Sequence, residues 1–429
     1  MKNIIQLFLA SAARRVIRRY NPIVIGVTGS VGKTSTKEAI FTVLKKRYRV
    51  GKSEKSLNTE IGLPLAVLGA KNHYRNVFGW LGELASIAKK MVFGFDCPDV
   101  LVLEMGVQKP GDMDYLLSIV RPQIAVVTHI GDVPVHVEYF KDPEELIDEK
   151  ARLVAALPDD GHAILCHDDV AVYSMREATK APTLTFGLDA HASVRITNFE
   201  LRILKDAARG DMLDGVSFKA EYQGSVVPIR LHSVFGGPHA YAASAAIAVG
   251  LSMGMNLLEI SEALDEYVGS PGRLRLLSGN KRSFILDDTY NAAPESMRVA
   301  LETLQELPGK RKIAVLGDML ELGKYTEQAH RAIGDLAAGF VDVLLCVGAR
   351  AKFIADEAIE RGMPRERVQT FNDSVSAGQA LDPMLREGDL VLVKGSQGIR
   401  MEKAVLEIMA HPESAKTLLV RQDEYWTRH

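Results

Sequence analysis

A glycine-rich turn followed at once by a lysine and a hydroxyl stands near the start of the chain, in Ile-Val-Ile-Gly-Val-Thr-Gly-Ser-Val-Gly-Lys-Thr-Ser-Thr over 23–36. Its glycines let the backbone come close to an anion. Lys33 supplies a point charge and Thr34 an oxygen for Mg²⁺. The strand-type run Ile23, Val24, Ile25 feeds the turn, and a helical pattern through Ala39, Ile40 and Val43 leaves it. That order is what phosphate binding needs, because the first-turn N–H groups of such a helix point at the anion. The spacing departs from the common G-x-x-x-x-G-K-[ST]: Val27 stands where its first glycine belongs, and Gly26 lies one place earlier. A chance Gly-Lys-Thr in a surface loop is the competing reading. The flanking strand and helix argue against it.

Other polar residues gather at the ends of apolar runs. Val-Leu-Val-Leu ends in Glu104, where a Mg²⁺ ligand belongs beside such a loop. The run 124–128 is followed by His129, Gly131, Asp132 and His136, whose histidines are ligands, hydrogen-bonding loop residues or neither. Lys150 lies among acids on a helix over 142–154, which reads as a solvated, salt-bridging lysine. In the second half the strand ends carry Asp287-Asp-Thr-Tyr-Asn, Gly317-Asp-Met and Lys394-Gly-Ser-Gln.

These residues need a scaffold of more than one domain, and 429 residues supply two or three. The expected class is α/β. A central domain over 21–270 has a mostly parallel sheet. An antiparallel meander over 192–232 is added to it, with turns at Arg209-Gly-Asp and Gln223-Gly. A polar segment over 51–65, containing Asn58 and Thr59, reads as a loop before a short helix. Gly237-Pro-His-Ala-Tyr opens an alanine-rich helix. Regular strand–helix alternation over 271–429 predicts a second, Rossmann-like doubly wound domain, without a Gly-x-Gly-x-x-Gly turn. A net charge of −2 excludes nucleic acid as the main partner. Cys97, Cys166 and Cys346 show no metal spacing and read as reduced, buried thiols of a cytoplasmic protein. Gln6 interrupts the short apolar block at the N-terminus, against a signal peptide. Residues 1–20 form an amphipathic helix with Arg14, Arg15, Arg18 and Arg19. It either packs on the body of the protein or lies on an anionic membrane surface.

Taken together, several motifs resemble the Mur ligase family, the ATP-dependent amide-forming enzymes of peptidoglycan precursor synthesis. They are the loop over 26–36, Glu104-Met-Gly, Thr128-x-Ile-Gly, Glu149-Lys150-Ala, Gly272-Arg273 and Asp287-Asp-Thr-Tyr-Asn-Ala-Ala-Pro-Glu-Ser-Met. Val315-Leu-Gly-Asp-Met-Leu-Glu-Leu-Gly and Val391-Leu-Val-Lys-Gly-Ser-Gln-Gly-Ile-Arg-Met-Glu are similar to the branch that adds D-alanyl-D-alanine to a muramoyl-peptide. The resemblance implies ATP and Mg²⁺, and a monomer. Gly29, Ser30, Val31, Gly32, Lys33, Thr34 and Ser35 would hold the ATP phosphates. Thr34, Glu104, His136 and Lys150 would surround the metal, Lys150 as a carbamate. His239 would lie by the nucleotide. Arg273, Asp288, Tyr290 and Asn291 would close on it from the second domain.

Three departures stand out. That branch has an N-terminal domain holding the UDP end of its acceptor, whereas about 20 residues precede the first strand here. The acceptor is therefore expected to be gripped otherwise. The asparagines of the family's Gly-x-His-Asn-x-x-Asn are Ala240 and Ala243. The segment 128–136 is two residues longer than usual, and His129 replaces an Asn. A ligase for another acceptor, such as a pseudomurein precursor or a poly-amino-acid chain, and an ATP-binding pseudoenzyme are the alternatives.

Overall fold

The computed structural model describes residues 2–53, 59–73, 76–132, 134, 136–206, 210–423 and 426; Asn58 and Arg209 lie outside them. Nine strands form the first sheet: β1 (Ile23–Thr28), β2 (Val50–Lys52), β3 (Val100–Glu104), β4 (Ile124–Val127), β5 (His162–Cys166), β6 (Thr183–Gly187), β7 (Val194–Asp206), β8 (Gly210–Tyr222) and β9 (Ser225–His232). Their order is β2-β3-β1-β4-β5-β6-β7-β8-β9. Pairing is parallel from β2 to β7 and antiparallel beyond. The expected meander is therefore the far side of one continuous sheet. Gln223 and Gly224, both with positive φ, make its last turn. β1 lies between β3 and β4, so the strand order reverses beside it. A crevice opens at such a switch point, at the strand C-termini.

The helices of this half are α1 (Lys2–Tyr20), α2 (Lys33–Leu44), α3 (Gly62–Val67), α4 (Val77–Phe93), α5 (Asp112–Ile119), α6 (Pro143–Ala155), α7 (Val170–Ser174), α8 (Gly237–Ser252) and α9 (Leu257–Leu264). α1 packs on the body: Leu9, Ala13 and Val16 are buried, while Arg15, Arg18 and Arg19 are exposed. Leu9 and Val16 each contribute about 1.5–3 kcal/mol by leaving water. α8 buries its alanines and lies against α2. α4 has no counterpart among the sequence expectations. Among the described residues no helix is long and apolar enough to cross a membrane.

The second sheet contains β10 (Arg275–Ser278), β11 (Phe284–Asp288), β12 (Arg311–Gly317), β13 (Val343–Val347), β14 (Val368–Phe371) and β15 (Asp389–Lys394), in the order β10-β11-β15-β12-β13-β14. All pairs are parallel except β10 with β11. Successive side chains alternate between two cores. Ala314, Leu316, Leu344 and Leu392 enter one, and Ile313, Val315, Leu345 and Val393 the other. A sheet covered by helices on both faces needs this arrangement, and it explains the unbroken apolar runs. All three cysteines are buried and free.

Candidate active site

The loop between β1 and α2 is shaped by two glycines. A Cβ on Gly29 would come 2.0 Å from Thr128 Oγ1, and Gly32 caps α2 with φ 89°. Ser30 N and Val31 N donate to the His129 carbonyl at 2.9 and 3.0 Å. Those two amides are thus engaged within the protein. The donors that remain for an anion are the N–H groups of Lys33, Thr34 and Ser35 in the first turn of α2. Lys33 Nζ donates to Gly29 O at 2.8 Å and to Ser30 O at 3.2 Å. Burial lowers its pKa to about 8; Glu104 opposes the shift and Arg273 adds to it.

Lys150 reaches the same point. Its Nζ donates to Gly29 O at 3.2 Å. Asp142 starts α6 by accepting from Glu145 N at 2.9 Å, with Pro143 in the first turn. Leu146, Lys150, Leu153 and Val154 then fall on the buried face of α6. Lys150 is 3% exposed, so the solvated reading is overturned: it is buried on its helix together with Glu149, beside Leu146, Leu153 and Val154. Burial first, and the Lys33 charge second, push its amine well below the ordinary lysine value, while Glu149 pulls the other way. An amine kept neutral is a nucleophile toward CO₂.

Glu104, at the end of β3, is 1% exposed, and neither carboxylate oxygen has a hydrogen-bond partner. Its nearest ionic neighbour is Lys37 Nζ at 3.7 Å, which also donates to Ser53 O at 2.7 Å. A buried carboxylate so thinly compensated fits a cation. Among the described residues no three His, Cys, Asp or Glu side chains converge to hold a metal. Mg²⁺ does not require three, since it keeps waters and phosphate oxygens in its shell. The donor set of Thr34 and Glu104 therefore suits it.

His136 points elsewhere. Its Nδ1 lies 2.6 Å from Glu321 Oε2 of the second half, and the ring holds that carboxyl below its ordinary value. His129 bridges the halves too, with Asp169 at 3.2 Å on one side and Glu295 at 3.8 Å on the other. Sequence reasoning missed the part His129 plays in holding the loop, because that contact is made by backbone.

From the second half, Arg273 Nη2 donates to Thr34 Oγ1 at 3.4 Å, and its guanidinium lies 4.1 Å from the Tyr290 ring centroid. Gly272, with φ 67°, precedes it and is held by Asp287 Oδ2 at 3.1 Å. Burial pushes the Asp287 carboxyl up to about 6. His239 Nε2 donates to Arg273 O at 2.9 Å, and Tyr267 O–H donates to Nδ1 at 3.0 Å. Burial lowers His239 to about 4. Its ring is therefore neutral and braces Arg273, with both nitrogens engaged. Asp288 pairs with the buried Lys394 at 2.6 Å, and Lys394 also donates to Asn291 O at 2.8 Å. Lys394 was legible as a strand-end cation but had no assigned role. Replacing Arg273 with Ala should lower kcat/KM for the nucleotide-dependent reaction about a hundredfold. Initial-rate measurements check this.

One phosphate-type loop, two converging lysines, a thinly compensated carboxylate and an arginine just before the second sheet form the site. Residues 27–250 match the Mur ligase middle domain, and residues 272–397 match the Mur ligase, glutamate ligase domain. The chain belongs to the Mur ligase family. The UDP-N-acetylmuramoyl-tripeptide–D-alanyl-D-alanine ligase of Bacillus subtilis (strain 168) is 29% identical over 408 residues, 95% of this chain and 80% of that one. A crystal structure of MurF from Acinetobacter baumannii superposes with a TM-score of 0.75 at 25% identity, over 94% of this chain and 80% of that one. MurF ligase from Thermotoga maritima, in complex with ADP, gives 0.74 at 26% identity, over 93% and 82%. Both matched Mur ligase regions contribute to the site: Lys33, Glu104 and Lys150 come from the first, and Arg273, Asp288 and Lys394 from the second.

Proposed function

We propose that this Mur ligase is a cytoplasmic, monomeric, ATP- and Mg²⁺-dependent enzyme that joins the terminal carboxylate of a muramoyl-peptide acceptor to D-alanyl-D-alanine. The observation that carries it is Arg273 meeting Thr34 across the phosphate loop, in a chain whose relatives are named for that reaction. The reading divides the chain into the helix 1–20, an ATP-binding domain over 21–270 and a ligase domain over 271–429.

ATP would lie with its phosphates on the α2 N-terminus and Lys33, with Arg273 and Tyr290 on its other side. Thr34, Glu104 and a carbamylated Lys150 would hold Mg²⁺. When bound, Mg²⁺ supplies charge neutralisation for the transferring phosphoryl. The acceptor carboxylate oxygen attacks the γ-phosphorus, the bond to the ADP oxygen breaks, and an acyl phosphate forms. Lys33 and the α2 amides hold the charge that develops. The dipeptide amine then attacks the carbonyl and loses a proton, and phosphate leaves. Asp288, Lys394 and Asn291 form the wall that this amine faces. Contacts such as His136–Glu321 hold the halves together and keep water from the acyl phosphate.

Phosphate release with ATP and Mg²⁺ tests this against acceptors, each offered D-alanyl-D-alanine, D-alanine or L-amino acids. Release should require both a muramoyl-peptide and D-alanyl-D-alanine. Release with another pair would assign a different acceptor. No amine-dependent release with any pair would leave an ATP-binding pseudoenzyme.

A further inference from the structure

A surface helix ordinarily buries one apolar stripe and shows water a polar one. α4 does not. Trp80 and Ile87 face the core, yet Phe78 is 86% exposed, Leu81 60%, Val92 75% and Phe93 82%. Phe78, Leu81, Ala85, Ala88 and Val92 recur at helical spacing and are all exposed, so they form one outward stripe flanking the buried one. Its acid, Glu83, is paired with His73 at 2.9 Å, while Lys89 and Lys90 are exposed.

α1 lies beside it. The Tyr20 hydroxyl accepts from Phe95 N at 3.0 Å, and the two rings stand 6.1 Å apart. This contact brings the last turn of α1 to the end of α4. Ser11, Arg14, Arg15, Arg18 and Arg19 line one open groove on α1. None of these arginines has an acidic partner among the described residues, and α1 contains no Asp or Glu. Complementing the α1 dipole would account for Arg18 and Arg19 in the last turn. It would not account for Arg14 and Arg15 a turn earlier, or for the apolar stripe next to them. Leu7 of α1 is 66% exposed as well.

We propose that α1 and α4 seat this protein on an anionic lipid bilayer, α4 burying its outward apolar stripe at the acyl boundary and the four arginines pairing with lipid phosphates. Both helices lie in the interface plane, since neither is long and apolar enough to span. The chemistry is that of two weak signals acting together: a shallow apolar insertion and a basic patch. The surface extends toward the reaction centre. Gln6 of α1 donates to Glu60, and Glu60 pairs with Lys109 of the segment that follows Glu104.

The test is co-sedimentation of the full chain with phosphatidylcholine vesicles made with and without phosphatidylglycerol. Binding should require the anionic lipid and weaken steeply with added salt. Replacing Arg14, Arg15, Arg18 and Arg19 together with Gln should weaken it about a hundredfold. Replacing Phe78, Leu81, Val92 and Phe93 together with Ser should weaken it about as much. These side chains lie outside the reaction centre, so phosphate release on a soluble acceptor should be unchanged in both variants, and this separates the two proposals. Should a variant fail to fold, the salt titration of the unaltered chain still decides. Equal, negligible binding to both vesicles, retention in both variants, or self-association through α4 without vesicle binding would each overturn the proposal.

Discussion

Lys33→Met should abolish turnover, by at least about a thousandfold, and yet raise thermal stability. The two effects share one cause. The Lys33 ammonium is held inside the loop, and burial lowers its pKa from the ordinary 10.5 to about 8. The native state therefore binds this proton more weakly than the unfolded chain. Its contribution opposes folding in full below about pH 8, and the opposition fades as pH rises toward 10.5. After allowance for partial exposure, removing the charge should stabilise the fold by about 2 kcal/mol at neutral pH. Differential scanning calorimetry would show this as a rise of a few degrees. The same titration predicts that ATP binds less tightly above about pH 8, because the neutral amine must take up a proton to pair with phosphate. Calorimetric titration in buffers of different ionisation enthalpy would reveal that uptake. Unchanged turnover in Lys33→Met would remove the lysine from the mechanism.

Lys150→Ala should also lose about a thousandfold in rate, and regain part of it with added formate or acetate. Lys150 is a buried base on the inner face of its helix, its pKa lowered by burial and then by Lys33. Truncation leaves a cavity beside Gly29 O, and a small carboxylate that enters it restores an anion beside Lys33 and the phosphate loop. Arginine could not substitute, since it never becomes a neutral nucleophile. Carbon-13 NMR of the unaltered protein in labelled bicarbonate should show a carbamate signal that Lys150→Ala lacks. Full activity of the Ala variant would eliminate the carbamate.

Most of the parallel strands were legible because each is a short apolar run bounded by polar residues, as 343–347 and 391–394 show; β6 escaped because Thr183, Thr185 and Gly187 interrupt its apolar residues. The phosphate loop was legible because Gly29 and Gly32 are demanded by its backbone. Lys150 was misread as solvated because attention fell on its acidic neighbours rather than on Leu146, Leu153 and Val154, which set its direction. β10 and β2 escaped because they are short edge strands, where pairing rather than pattern makes the structure. α4 escaped because a helix apolar on two sides carries no clean period. His136 shows the other limit: its sequence position fits a metal neighbour, while the fold sets it against Glu321, nearly two hundred residues away in the chain.

β1 is central to its sheet, and both of its neighbours, β3 and β4, come much later in the chain. During synthesis the phosphate loop therefore leaves the ribosome well before it can be completed. β1 must wait for residues 100–127, several seconds or more at about 5–20 residues per second. β11 repeats the pattern, waiting for β15 at 389–394. The second half thus exposes its future reaction edge for most of its own translation, and the first half until β4 has emerged. A ribosome-bound chain shortened before β4 should leave β1 unsatisfied, whereas α1, with its apolar face and four arginines, is already outside. α1 can therefore meet another surface before the phosphate loop beside β1 is complete.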